Sequence, residues 1–179
     1  MSNFSFGGDW SRVKLEIVQK YLKAYTIIMK KQSFEFTYID AFAGTGYQTF
    51  KREDNPNELL FPEFAEDAIT HVDGSARIAL QIEPKFKRYV FIEKDRKRFN
   101  ELEKIKDDYP QLNIIFRNED ANTYLTRICT KGNWIKQRER AVVFLDPFGM
   151  QVHWTTIEAI ASTKAIDLWY LFPLGNGVN

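Results

Sequence analysis

The chain has 179 residues, 44% of them hydrophobic, which suffices for one globular domain whose core needs no covalent staples. A net charge of +1 excludes the global positive field of a strongly basic nucleic-acid-binding domain, so any polyanion contact has to be local. The single Cys129 excludes an internal disulfide and, with only His71 and His153 beside it, argues against a structural zinc site; a reducing, cytoplasmic compartment fits.

No run reaches 18 apolar residues and the N-terminus carries no signal-peptide pattern, so neither a membrane span nor export by that route is expected. Gly7-Gly8-Asp9 opens an N-terminal helical extension, residues 1–33. Its apolar positions, Trp10, Val13, Ile17, Tyr21, Tyr25 and Ile28 with Leu22 and Met29 on the next row, predict an amphipathic helix capped by Asp9. The rest, residues 34–179, reads as one α/β domain. It starts with an apolar, aromatic strand from Phe34 to Asp40, followed by Ala41-Phe42-Ala43-Gly44-Thr45-Gly46.

Alternate glycines let a backbone turn sharply and approach a ligand closely, the use made of such a turn after the first strand of an open sheet. A third glycine is lacking and no Lys-Ser or Lys-Thr pair follows, which argues against a P-loop. From Tyr47 to Asp73 no strand pattern is evident. The segment reads as an insertion with a short helix over 63–69 behind Pro62, or else as a surface excursion.

Ser75 caps an expected helix from Ala76 to about Ile82, and Tyr89 to Glu93 forms the second strand of the alternation. Asp95 caps a helix carrying Phe99, Leu102 and Ile105 inward. Leu112–Phe116 is a strand ending at Asn118-Glu119-Asp120, and a helix runs from Ala121 to about Thr130. Ala141–Leu145, a continuous apolar run suited to a sheet centre, ends in Asp146-Pro147-Phe148-Gly149. Trp154, Ile157, Ile160 and Ala161 mark the next helix and Ile166–Phe172 the last strand. This alternation predicts a doubly wound, mostly parallel Rossmann-like sheet with helices on both faces. An exposed hydrophobic fifth strand makes the domain read as incomplete at its C-terminus, with the last strands missing.

Asp40, Glu93, Asp120 and Asp146 each end a strand, so all four carboxylates are expected to face one crevice. With an adenosine-containing cofactor, Glu93 accepts from both ribose hydroxyls. Asp120, beside Ala121, either accepts from the adenine amino group or caps its helix. Asp40 and the amides of Gly44 to Gly46 hold the remainder.

Asp40-x-Phe42-x-Gly44-x-Gly46, Glu93, Asp120 and Asp146-Pro147-Phe148-Gly149 resemble the class I S-adenosylmethionine-dependent methyltransferases. More narrowly, Tyr38–Gly46, Asp73-Gly74-Ser75, Phe91–Asp95 and Phe144–Gly149 resemble the three-Cys-motif partner family, whose members are longer than this chain. The resemblance implies S-adenosylmethionine held by Asp40, Phe42, Gly44, Gly46, Glu93, Asp120 and Ala121, no metal, and a separate protein carrying the cysteines as partner. It also implies that Asp146, Pro147 and Phe148 form a block like that of methyltransferases acting on amino groups of RNA or DNA bases. An exocyclic amine is a poor nucleophile because the ring delocalises its lone pair; the Asp146 carboxylate and the Pro147 carbonyl can accept its hydrogens while Phe148 stacks on the base. The block lacks the second proline of the amino-methyltransferases and has Gly149 at the usual aromatic position. Two other outcomes stay open: a small-molecule or protein substrate on the same fold, and a cofactor-binding subunit that catalyses nothing.

The remaining candidates read more simply. Lys85–Arg98 and Lys131–Arg140 interleave bases with acids as solvated faces do, Cys129 reads as core, and His153 is a weaker proton acceptor than Asp146. Trp134 fits a surface anchor or ordinary packing.

Overall fold

A computed structural model describes residues 8–51 and 69–172. The strands in chain order are β1 (Glu35–Asp40), β2 (Tyr47–Lys51), β3 (Ile69–Asp73), β4 (Arg88–Ile92), β5 (Ile114–Arg117), β6 (Glu139–Leu145) and β7 (Ile166–Tyr170). The helices are α1 (Gly8–Lys30), α2 (Ser75–Gln81), α3 (Arg96–Glu103), α4 (Ile105–Asp108), α5 (Ala121–Lys131) and α6 (Trp154–Ser162). Five strands pair in parallel in the order β5-β4-β1-β6-β7. The fold is therefore the doubly wound α/β sheet expected.

The chain builds outward from β1 through β4 to β5, then returns to lay β6 and β7 on the other side. The direction of winding reverses between β1 and β6, and the crevice of such a sheet opens there, beyond the strands' carboxyl ends. Register brings those ends together: Asp40 sits beside Phe91 on one flank and Phe144 on the other.

Side chains alternate between two buried faces, as a strand's period of two requires. Phe36, Tyr38, Tyr89, Phe91 and Phe144 point to the layer holding Val18, Leu22 and Tyr25 of α1 and Ala76, Ala79 and Leu80 of α2. Phe86 is the hinge of this aromatic layer, with its ring centroid 5.5–6.1 Å from those of Tyr25, Phe36, Tyr38 and Tyr89. Ile39, Val90, Ile92, Val143 and Leu145 face the opposite layer, where Ala121 and Leu125 of α5 and Ile160 of α6 cover them. Each such side chain removed from water contributes about 1.5–3 kcal/mol, so both layers hold the strand ends in place.

Four expectations need correction. Helix α1 already includes Gly8, which puts Asp9 inside its first turn rather than before it. Its buried stripe is Leu15, Val18, Leu22, Tyr25 and Thr26, while Val13, Ile17 and Ile28 are exposed. The helix carries two apolar rows, and the row that meets the aromatic layer is the one through Val18, Leu22 and Tyr25. The segment 47–73 is not strand-free: β2 and β3 pair antiparallel, from Tyr47 opposite Asp73 to Lys51 opposite Ile69. Ile69 therefore belongs to a strand, and the rest of the expected helix over 63–69 lies outside the described residues. The helix expected around Trp154 to Ala161 is α6, whose buried residues are Thr156 and Ile160, with Trp154 and Ala161 exposed.

Among the described residues no helix is long and apolar enough to cross a membrane.

Candidate functional site

A pocket of about 880 Å³ opens at the carboxyl ends of the strands, within the range of small-molecule and cofactor sites. Phe42 and Gly44 form its wall after β1, Glu93 its floor after β4, Asp120 and Ala121 the wall at the start of α5, and Asp146 and Phe148 the far end after β6. Of the expected site residues, these seven come together. Asp40, Gly46 and Pro147 are buried and do not line the pocket.

Asp40 is the correction with a clear cause. As the last residue of β1 it shares the face of Phe36 and Tyr38, so its side chain turns toward α2 rather than the pocket. There it accepts the Ser75 hydroxyl at 2.5 Å on Oδ2 and the Phe42 amide at 3.2 Å on Oδ1. Ser75 accordingly ties α2 to β1 instead of capping its helix, whose N-cap position is Gly74. Complete burial pushes the Asp40 carboxyl up to about 7, against the opposing pull of its two hydrogen bonds. The folded state therefore favours protonated Asp40, and stability falls as pH rises from 4 to beyond 7. The shift from the usual 3.8 is worth on the order of 4 kcal/mol. Denaturant titrations of wild type and Asp40→Asn should show the variant gaining on wild type between pH 5 and pH 8; parallel curves would contradict the buried acid.

Gly44 and Gly46 take φ of +62° and +79°, a region open to glycine at little cost. They differ in what surrounds them. A Cβ on Gly46 would stand 2.3 Å from Ile105 Cδ1 and 3.4 Å from Leu102 Cδ1, both fully buried, whereas one on Gly44 would meet nothing within 4 Å. Gly46 is thus a packing glycine of the loop and Gly44 the pocket-side one. Gly46→Ala should cost about 1–3 kcal/mol from backbone strain, plus the displacement of Ile105, and lower the melting temperature more than Gly44→Ala does. Equal melting shifts would refute that division.

Glu93 is 5% exposed, and its carboxylate is fixed by three donors. The Gly44 amide reaches Oε2 at 3.1 Å, and the Asp95 amide and Arg98 Nη2 reach Oε1 at 2.7 and 3.0 Å. Two of these are backbone groups that cannot move away; the Arg98 side chain, 58% exposed, can. Asp95 caps α3 through the Arg98 amide, as expected. Asp120 caps α5, with Oδ1 accepting the Thr123 amide at 3.1 Å, and its Oδ2 pairs with Lys94 at 3.3 Å. Desolvation opposes its ionisation, but these donors outweigh that and hold the carboxyl below the usual range.

Sequence reasoning missed two residues here. Lys14, from α1, places Nζ 3.3 and 3.4 Å from the two oxygens of Asp146, a pairing across 132 positions that no local pattern announces. Asn122 is the other. Its Nδ2 donates to the Gln151 carbonyl, and its Oδ1 accepts from the His153 amide and the Thr156 hydroxyl, each at 2.9 Å. One buried amide thus holds the loop after β6 against α5.

Solved structures match this chain, and the first of them shares its fold. The protein LPL1258 of Legionella pneumophila, described with the family model DUF519, matches 83% of this chain at 14% identity and a TM-score of 0.57. A conserved hypothetical protein of Streptococcus pyogenes matches over 75% at 18% identity, and the Escherichia coli protein yhhF, a candidate methyltransferase by its description, over 84% at 15%; both have TM-scores of 0.43. The match spans 62–63% of the length of these three chains. No family model and no curated protein matches this sequence.

Proposed function

We propose that this chain is the cofactor-binding core of an S-adenosylmethionine-dependent methyltransferase acting on an exocyclic amino group of a nucleic-acid base. The observation that carries the reading is the convergence of Glu93, Asp120 and Asp146 on one pocket beside the point where the sheet's winding reverses. The donor set fits such a cofactor. Glu93 is a nearly buried acid whose plane is set by the Gly44 and Asp95 amides, and it offers two hydroxyls a charged acceptor once the Arg98 guanidinium swings out. Asp120 and the wall at Ala121 suit an adenine edge, while bare Gly44 backbone admits close approach.

The cofactor, when bound, supplies a methyl group on a sulfonium centre that departs as a neutral thioether. The protein's part falls at the other end of the pocket. Asp146 accepts a hydrogen of the incoming amine, which concentrates the lone pair on nitrogen, and receives the proton that the amine sheds once the carbon–nitrogen bond has formed. For this, Lys14 releases one carboxylate oxygen and keeps the other, aiming the group. Phe148, 86% exposed at the mouth, stacks on the base. Held in line, the two reactants need little further catalysis, since positioning alone is worth roughly 7–11 kcal/mol.

The experiment is transfer of radiolabelled methyl from the cofactor to single-stranded RNA and DNA, with the product nucleosides identified by mass spectrometry. An N-methylated base is expected; methylated small molecules or protein instead would move the substrate to another class. A second reading is favoured by the Lys14–Asp146 pair, which already engages both acceptor oxygens. It makes the chain a cofactor-binding, non-catalytic subunit serving a three-Cys-motif partner, and predicts cofactor binding with no transfer to any acceptor.

A further inference from the structure

Three large apolar side chains stand exposed in the short stretch after Asp146: Phe148 at 86%, Met150 at 54% and Trp154 at 72%. The stretch is not loose. Asn122 clamps its backbone at Gln151 and His153, and Val152 packs into the core layer beneath. The Trp154 indole is itself tethered, with Nε1 donating to Glu158 Oε1 at 3.0 Å. That bond uses the indole's one polar atom and leaves its ring face bare to solvent. Rigid, flat, uncovered aromatic surface beside a candidate base-modifying carboxylate suits bases, because every base has a π-face to stack.

The charges around the pocket agree. Its acids are already engaged: Glu93 by Arg98, Asp95 and Asp120 as helix caps, and Glu119 by Arg127. Lys94, paired with Asp120 at 3.3 Å, and Arg96, donating to Asn118 Oδ1 at 3.3 Å, are both exposed on the pocket rim, where they can turn to phosphates without a strongly basic protein being needed.

Resting on the methyltransferase reading, we propose that Phe148, Met150 and Trp154 form a stacking platform for an unpaired nucleic-acid strand, with the target base on Phe148 and a neighbouring base of the same strand on Trp154. Met150, exposed in the same stretch, adds a pliable apolar contact. The substrate is then single-stranded: a duplex keeps its bases stacked on one another and offers no free face to the indole.

The test is fluorescence anisotropy of a labelled, unstructured ten-nucleotide strand on wild type, Trp154→Ala and Trp154→Phe, with competition by a nucleoside monophosphate and a separate titration of S-adenosylhomocysteine. Trp154→Ala should weaken strand binding by about 5- to 150-fold, the loss of one stacked base. Trp154→Phe should restore most of it, and neither change should move the affinity for the monophosphate or S-adenosylhomocysteine. Strand binding unchanged in Trp154→Ala, or absent in wild type, would overturn the platform and leave the tract to a protein partner. Absence of S-adenosylhomocysteine binding, with Trp154-dependent strand binding intact, would instead overturn the methyltransferase reading while the platform stands.

Discussion

Asp146→Asn is expected to lower the rate of methyl transfer by about 10²- to 10⁴-fold while leaving cofactor affinity within about twofold. The substitution keeps the shape of the side chain and one acceptor oxygen, yet removes the charge and places an NH₂ where a second acceptor stood. An amine facing it loses the polarisation that frees its lone pair, and the proton it sheds has no carboxylate to go to. Asp146 is part-exposed at the end of the pocket and, among the described residues, its side chain bonds Lys14 rather than the floor or walls, so the cofactor's seat is not disturbed. A rate unchanged in Asp146→Asn would remove this carboxylate from the chemistry, whereas cofactor binding with no transfer by the wild type would favour the non-catalytic subunit. Initial rates with saturating cofactor, set beside calorimetric affinities, make the measurement.

Glu93→Ala has the larger expected effect on binding. Hydrogen bonds to a charged acceptor contribute about 1.5–3 kcal/mol each, so losing two weakens the cofactor by about 10²-fold or more. Glu93→Gln, which retains the shape and one acceptor, should fall between. The control is a melting curve, because Glu93 also receives the Gly44 and Asp95 amides and its removal leaves both without their acceptor. Cofactor affinity unchanged in a folded Glu93→Ala protein would show that the acid at the end of β4 serves only to tie loop and helix together.

The alternation of apolar runs with capped helical segments was enough to read the sheet, because parallel strands buried on both faces leave a continuous apolar signature, as in Ala141–Leu145. The same logic located Glu93, Asp120 and Asp146, since residues that end parallel strands share one edge. It overreached at Asp40. Strand ends fix which edge a residue is near, but the side-chain period of two fixes which face it turns to, and counting back through Tyr38 and Phe36 would have sent Asp40 toward α2. The face of α1 was misread for a related reason: two apolar rows fit the helical period, and the choice between them rests on packing with distant strands. Lys14 and Asn122 were illegible because their roles are contacts across 132 and about 30 positions, made by residues that look like ordinary helix surface. β2 and β3 escaped because each carries a mixed polar pattern, Tyr47–Lys51 and Ile69–Asp73, with the segment 52–68 between them.

The central claim is that the pocket at the ends of β1, β4, β5 and β6 holds an adenosine cofactor with a sulfonium or thioether. Isothermal titration of S-adenosylmethionine and S-adenosylhomocysteine into the folded protein tests it most directly. The account predicts saturable binding of both at one site per chain, weakened together by about 10²-fold or more in Glu93→Ala. Absence of heat and of any thermal stabilisation by either ligand would contradict it, and would leave the three acids as an ion-paired, capped edge of the sheet.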